Sequence, residues 1–82
     1  MEQLVHSPKS LGSAITRQRK AKKLSQTEAG STFKIEQSTI SSIEQGAPGT
    51  RLETLFRLLA ALDLEMVIRP KTTSTNKTKE SW

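Results

Sequence analysis

Two short helix signals, separated by only a few residues, constrain the fold of this chain more than any other feature. Ser25 and Glu28 form a capping box, in which a hydroxyl and a carboxylate each accept a backbone N–H at the start of a helix. This pattern predicts a helix from residue 25 to about Thr32. After the connector 33–35, a further helix is predicted over residues 36–44. The sequence therefore predicts two short helices joined by a tight turn.

Two longer helices are predicted on either side of this pair. Ser7 is a good N-cap and Pro8 suits the first helical position, which predicts a helix from Pro8 to about Lys22. Thr50 and Glu53 repeat the capping pattern and predict the start of a fourth helix. Its predicted core stripe consists of Leu52, Leu55, Phe56, Leu59 and Leu62, whereas Leu58 and Leu64 fall off the stripe and are predicted to contact a second subunit.

The residues after the fourth helix change to a β-strand pattern. Glu65–Arg69 alternates and contains Met66, Val67 and Ile68, and Pro70 ends it. A lone strand leaves its backbone groups unpaired, so it must pair with the same strand of a second copy, or with residues 3–5. We therefore predict an all-α domain of four helices over residues 1–70, with one short C-terminal strand pairing across a homodimer.

The composition excludes several classes of function. The 82 residues include no cysteine and one histidine, His6, which excludes disulfides, thiol catalysis and thiolate metal sites and leaves no catalytic or cofactor-binding constellation. No segment predicts a membrane span or a signal peptide, so a cytoplasmic protein is expected. The net charge of +5 is compatible with a polyanionic partner. Residues 71–82 form a polar tail, expected to be disordered, that ends in Trp82.

The residues from Leu24 to Gly46 resemble the helix-turn-helix family of phage repressors and Cro-type regulators, whose domain is lambda-repressor-like. The family signature corresponds here to Leu24-Ser25-Gln26-Thr27-Glu28 and to Gln37-Ser38-Thr39-Ile40-Ser41-Ser42-Ile43-Glu44. Within that family the chain is similar to the HipB-like antitoxins in Ser7-Pro8, Thr39-Ile40-Ser41, Met66-Val67-Ile68 and the terminal Trp82. Two positions depart from the pattern: Lys34 stands where glycine is usual, and Ala29-Gly30 replaces Leu-Ala.

This resemblance implies a transcriptional repressor and antitoxin that binds a palindromic operator of its own operon, a second copy of itself and a HipA-like kinase toxin. It implies a phosphate contact for Gln26 and for Thr39, and base contacts for Gln37, Ser38 and Ser42. Arg19 and Glu44 match a family ion pair between the first and third helices. Met66, Val67 and Ile68 correspond to the dimer strand, and Trp82 to an anchor for the partner.

Other interpretations of the same residues remain open from the sequence. The polar face of the third helix could simply be solvated, and Trp82 could be an accident of composition. The chain could also be a phage-type repressor without a toxin partner. A further alternative is a protein that mainly binds the kinase, with a separate subunit acting as antitoxin.

Overall fold

The computed structural model describes residues 2–71, in which four helices follow one another along the chain. They are α1 (Pro8–Ala21), α2 (Gln26–Ser31), α3 (Gln37–Glu44) and α4 (Leu52–Ala61), in the order that the sequence predicts. Helix α3 packs against α1 and α2, and α2 also packs against α4. The centre of the core is fully buried and consists of Ile15, Ile40, Leu58 and Leu62. Within residues 2–71, no helix is long and apolar enough to cross a bilayer.

The N-termini of α1 and α2 are capped as the sequence predicts. The Ser7 hydroxyl accepts the N–H of Ser10 at 3.1 Å, and Pro8 occupies the first turn. At the start of α2, the Ser25 hydroxyl accepts the N–H of Glu28 at 3.0 Å. The Glu28 carboxylate accepts the N–H of Ser25 in return, at 2.7 Å. These bonds satisfy donors that a helix leaves free at its start, so both starts are fixed by local sequence.

Each of the four helices is followed, two or three residues after its last residue, by a residue with a left-handed backbone. The φ angles are 59° at Lys23, 57° at Lys34, 88° at Gly46 and 58° at Asp63. After α2, for example, the N–H of Ile35 donates back to the carbonyl of Gly30 at 2.9 Å, which is the Schellman pattern of helix termination. The turn between α2 and α3 therefore has a left-handed residue, Lys34, at the position where the sequence resemblance leads one to expect glycine.

Two helical glycines allow backbones to touch. A β-carbon on Gly12 of α1 would collide with the carbonyl oxygens of Ile43 and Glu44 at the end of α3. A β-carbon on Gly30 would collide with the carbonyl oxygen of Ile35 and would lie 2.7 Å from Cδ1 of Ile40.

The predicted capping box at the start of α4 is wrong. The helix begins at Leu52, so its N-cap is Arg51, which makes no side-chain capping bond. The Thr50 hydroxyl instead donates to the carbonyl of Ala47 at 3.4 Å. The turn after α3 delays the helix by one residue, which removes Glu53 from the third helical position that the box requires.

The prediction that Leu58 and Leu64 face outward toward a second subunit is also wrong. Leu58 is fully buried in the core, and Leu64 is half-buried against it. Leu52 and Phe56 are instead 68% and 50% exposed. Leu55, Leu58, Leu59 and Leu62 have the i, i+3, i+4, i+7 spacing of one helical face, and Leu52 and Phe56 lie to one side of that face.

The expected C-terminal strand is not formed by the single chain. Residues 65–71 have no helix or strand, and none of residues 2–71 belongs to a strand. Met66, Val67 and Ile68 are exposed, Ile68 by 90%. Arg69 lies 3.9 Å from the Glu2 carboxylate, yet residues 3–5 do not pair with this segment. Trp82 and the rest of the tail after Lys71 lie outside the described residues.

Candidate nucleic-acid interface

A buried ion pair joins α1 to the end of α3. Arg19 Nε donates to Glu44 Oε2 at 2.6 Å, and Arg19 Nη2 donates to Oε1 at 3.1 Å, so the pair is bidentate. The third guanidinium nitrogen, Nη1, donates to the carbonyl of Leu24 at 2.7 Å. The two side chains are only 11% and 7% exposed. This pair holds α3 at a fixed angle to α1, and the geometry expected of Arg19 and Glu44 is present.

Both members of the pair are charged at neutral pH. Burial by itself raises the pKa of the Glu44 carboxyl, but hydrogen bonds from Arg19 and Gln26, together with the positive charge of Arg19, outweigh burial and lower it below its usual range. The hydrogen bond to Glu44 raises the pKa of the Arg19 guanidinium in turn. The Glu44 carboxylate, at the C-terminal end of α3, can therefore only accept hydrogen bonds.

A chain of amide hydrogen bonds extends this pair to the first turn of α3. Gln26 Nε2, at the start of α2, donates to Glu44 Oε1 at 3.0 Å. Gln37 Nε2, at the start of α3, donates to Gln26 Oε1 at 2.6 Å. The structure thus brings together Arg19, Glu44, Gln26 and Gln37, from three helices. No local sequence signal indicates this connection, because it is created by the crossing of α1, α2 and α3.

The outer face of α3 presents short polar side chains. Gln37, Ser38 and Ser42 are exposed and Thr39 is half-buried. Ser41 accepts a hydrogen bond at 3.1 Å from Nε2 of Gln45, the residue that follows α3. A face without bulky side chains is narrow enough for the major groove of DNA and offers hydroxyl and amide groups to base edges.

A groove with both polar and apolar lining runs between α3 and the start of α4. Its lining consists of Thr39, Ser42, Ile43, Ala47, Gly49, Thr50, Arg51 and Thr54. Arg51 is exposed and sits at the uncapped start of α4, where free backbone N–H groups and the helix dipole favour an anion. The sequence pattern gives no sign of Arg51 and Thr54 as candidate site residues, because it favours a capping box at the start of α4. Met66, Val67 and Ile68 belong neither to this groove nor to the amide chain.

Comparison with known proteins identifies this arrangement. A family model described as helix-turn-helix matches residues 15–68, which include all of α2 and α3. The antitoxin HipB of Escherichia coli K12 is 33% identical over 66 residues, which cover 80% of this chain and 75% of HipB. The chain belongs to the HipB-like helix-turn-helix family. The resemblance predicted from residues 24–46 is therefore confirmed.

Solved structures extend the HipB-like match to three dimensions. The HipB chain of a HipB–O4 20mer complex superposes with a TM-score of 0.81 at 31% identity, over 87% of this chain and 100% of that one. The HipB-like fold also matches a HipA–HipB–O2–O3 complex, again with a TM-score of 0.81, 31% identity and the same coverage. The HipB of E. coli O6:H1 strain CFT073 is likewise 33% identical over 66 residues, or 70% of its length.

Proposed function

We propose that this HipB-like chain binds operator DNA as a homodimer, represses its own operon and acts as the antitoxin of a HipA-like kinase. One observation carries the proposal: the exposed hydroxyl and amide face of α3 is held on a rigid support by the buried Arg19–Glu44 pair. The match to HipB bound to the O4 20mer supports the DNA partner, and the HipA–HipB–O2–O3 complex supports the kinase partner. The protein has no catalytic role in this proposal and works in the cytoplasm.

The base contacts fall to the outer face of α3. Gln37, Ser38 and Ser42 reach the base edges when α3 lies in the major groove, because they are exposed on the helix that α1 and α2 hold outward. A glutamine amide can pair with two atoms of one base, and a serine hydroxyl can serve several bases.

The phosphate contacts lie at the edges of the same surface. Thr39 and Arg51 line the groove beside α3 and bind the phosphates of the DNA backbone there. The free N–H groups at the start of α4 bind the same phosphates. Gln26 contacts the phosphate on the other side, at the start of α2. The net charge of +5 adds a salt-dependent attraction to DNA.

The homodimer forms through apolar surface that the single chain leaves exposed. Met66, Val67 and Ile68 pair as a strand with the same residues of the second copy, which satisfies backbone groups that have no partner strand within residues 2–71. Leu52 and Phe56 are the large apolar residues of α4 that are exposed, and they add to the interface. Two-fold symmetry then spaces the two α3 helices about 34 Å apart, one turn of DNA.

The kinase contact includes the tail in this proposal. Residues 1–70 form the DNA-binding and dimerisation domain, and residues 71–82 carry Trp82 as an aromatic anchor for a pocket on the partner.

Fluorescence anisotropy against the DNA upstream of the chain's own gene tests the repressor role. We expect tight binding to this duplex, weak binding to a scrambled duplex, and a steep loss of affinity as salt rises. Equal binding to both duplexes would contradict operator recognition.

Ser42→Glu tests the face of α3 directly. A carboxylate in the major groove is repelled by the phosphates and meets few hydrogen-bond donors on the base edges. The affinity for the specific duplex should therefore fall by about a hundredfold or more. Ser13→Glu puts the same charge on an exposed position of α1 and is the matched control, with little effect expected beyond the change in net charge. Sedimentation of both variants should show an unchanged dimer.

Removal of residues 71–82 tests the tail against a purified HipA-like kinase. Kinase binding, measured by calorimetry, should weaken while operator binding stays unchanged, and Trp82→Ala should reproduce most of the loss. An unchanged kinase affinity in both variants would remove the tail from the interface.

A further inference from the structure

We propose that residues 2–6 form an outer strand of the dimer sheet, paired antiparallel with residues 65–69 of the same chain and with Glu2 opposite Arg69. The inference rests on the proposed function, because it needs the homodimer in which residues 65–69 pair with the same residues of a second copy. It adds a second segment of each chain to that interface. The sheet then has four strands, with residues 2–6 of the two copies at its edges.

Two side chains hold the start of the chain in place beside the C-terminal segment. The Glu2 carboxylate lies 3.9 Å from Nη1 of Arg69. The neighbouring Gln3 Oε1 accepts a hydrogen bond at 2.8 Å from Nη1 of Arg17, which belongs to α1. The first residues of the chain therefore contact both α1 and the segment that follows α4.

The two segments run in opposite directions. Val5 lines a groove together with Leu11 of α1. Leu64, which follows α4, packs with Leu11 against the buried core. Both segments are thus attached to the helices at the ends near residues 5 and 64, and Glu2 meets Arg69 at their far ends. This is the arrangement of an antiparallel pair of strands.

The register set by this ion pair matches the exposure of the apolar side chains. It places Val5 opposite Met66, and these two are 40% and 46% exposed. It places Leu4 opposite Val67, and these two are 64% and 69% exposed. Opposite residues of an antiparallel pair share a face, and successive residues alternate between faces. The less exposed pair therefore faces the helices, and the more exposed pair faces away.

The next pair in this register is Gln3 opposite Ile68, on the face of the sheet that is turned toward the helices. The hydrogen bond from Arg17 of α1 to Gln3 agrees with that orientation. Ile68 is 90% exposed in the single chain. In the proposed sheet the second copy covers it, because residues 65–69 lie beside their counterpart.

The stability of small sheets explains why these strands are not formed by one chain. None of residues 2–71 belongs to a strand, and an isolated pair of strands is only marginally stable in water. A dimer sheet made of residues 65–69 alone would also have two strands, with both outer edges unpaired. Residues 2–6 of the two copies bring the number to four, and their N–H and C=O groups bond to those edges.

Engineered disulfides test the register, because the chain itself has no cysteine. Leu4→Cys with Val67→Cys places two thiols on opposite residues of one face, within reach of a disulfide. Leu4→Cys with Ile68→Cys is the matched control, because its thiols lie on different faces of the sheet. In the oxidised dimer, the first pair should close within one chain at least about tenfold faster than the control. Thiol labelling and non-reducing electrophoresis measure both rates.

Removal of residues 2–5 tests whether the outer strand strengthens the dimer. The shortened chain keeps the Ser7 cap of α1, and circular dichroism checks that its helices are formed. Its dimer dissociation constant, measured by sedimentation equilibrium, should rise at least about tenfold because several cross-strand pairs are lost. Leu4→Gly combined with Val5→Gly should cause most of this rise. Leu4→Ile combined with Val5→Ile keeps residues that favour strands and should not weaken the dimer.

Two results would overturn the inference while leaving the proposed function intact. The first is a dimer dissociation constant that neither the removal of residues 2–5 nor the double glycine variant changes. The second is equal disulfide closure in the two cysteine pairs, or closure mainly between two chains. A wild-type chain that stays monomeric at every concentration would instead contradict the proposed homodimer itself.

Discussion

Gly12 lies so close to the end of α3 that a β-carbon built on it would be 2.5 Å from the carbonyl oxygen of Glu44. Alanine is normally the better helix former, so Gly→Ala in a helix usually stabilises a protein. At this position the obstacle is backbone rather than a flexible side chain, and α1 would have to move away from α3. Contact between these two helices therefore requires glycine at position 12.

We expect Gly12→Ala to lower the free energy of unfolding by about 1–3 kcal/mol, because overpacking here displaces a helix. Urea unfolding followed by circular dichroism measures the change. Gly49→Ala is the matched control, since a β-carbon there meets nothing within 4 Å and the backbone has no positive φ. A control as destabilised as Gly12→Ala would rule out the steric explanation.

Arg19→Met should destabilise the protein by about 3 kcal/mol or more, because it leaves the Glu44 carboxylate buried without its counter-ion. The double variant Arg19→Met, Glu44→Met removes both charges and should recover much of the loss. Chemical denaturation of wild type, both single variants and the double variant gives the coupling free energy. Additive effects of the two substitutions would mean that the pair contributes no coupling.

Acid should reduce stability through Glu44. Its pKa in the folded chain lies below the ordinary value of 4.5, so folding favours the charged form. The resulting stability is fully present above the unfolded-state pKa and is lost as the pH falls through the lower, folded value. The difference in unfolding free energy between wild type and Glu44→Gln should therefore shrink from about pH 7 to about pH 3. A difference that stays constant over this range would contradict the assignment.

Lys34→Gly should raise stability by about 0.5–1 kcal/mol. The left-handed backbone at φ 57° is strained for any residue with a β-carbon, and glycine removes this strain. Glycine also makes the unfolded chain more flexible, which offsets part of the gain in stability. Lys20→Gly is the matched control because Lys20 is exposed within α1, where the same substitution should destabilise by about 1 kcal/mol. Thermal melts of the two variants should shift in opposite directions.

Val67→Pro should weaken the proposed homodimer by about tenfold or more, because proline removes a backbone N–H that strand pairing requires. Val67→Thr keeps the N–H and the branched β-carbon, and it should leave the dimer nearly intact. Sedimentation equilibrium over a dilution series measures both. Equal dissociation constants for the two variants would exclude a strand at residues 65–69 from the interface.

The parts of this fold that the sequence predicts well are those determined within a few residues. Ser7, Ser25 and Glu28 cap their helices through bonds that span three positions. The Arg19–Glu44 pair was predicted as well, but from the family resemblance, because its partners are 25 residues apart.

The errors arise where tertiary packing decides. The start of α4 depends on the turn after α3, which shifts the N-cap from Thr50 to Arg51. The choice between Leu58 and Phe56 as a core residue depends on how α4 is rotated against the other helices, which hydrophobic spacing within α4 defines only loosely. The amide chain from Glu44 to Gln37 depends on three helices meeting and has no local signature.

The left-handed residues that follow the helices affect how long the protein survives in a cell. Three of them, Lys23, Lys34 and Asp63, carry side chains at positions where glycine would cost less. Glycine at all three would stabilise by about 2 kcal/mol if the separate sites add, which would reduce the unfolded population about thirtyfold. Proteases attack chains from that population. Backbone positions just after the helices thus offer a way to change how fast the protein is degraded without changing Gln37 and Ser42 on the proposed DNA-binding face of α3.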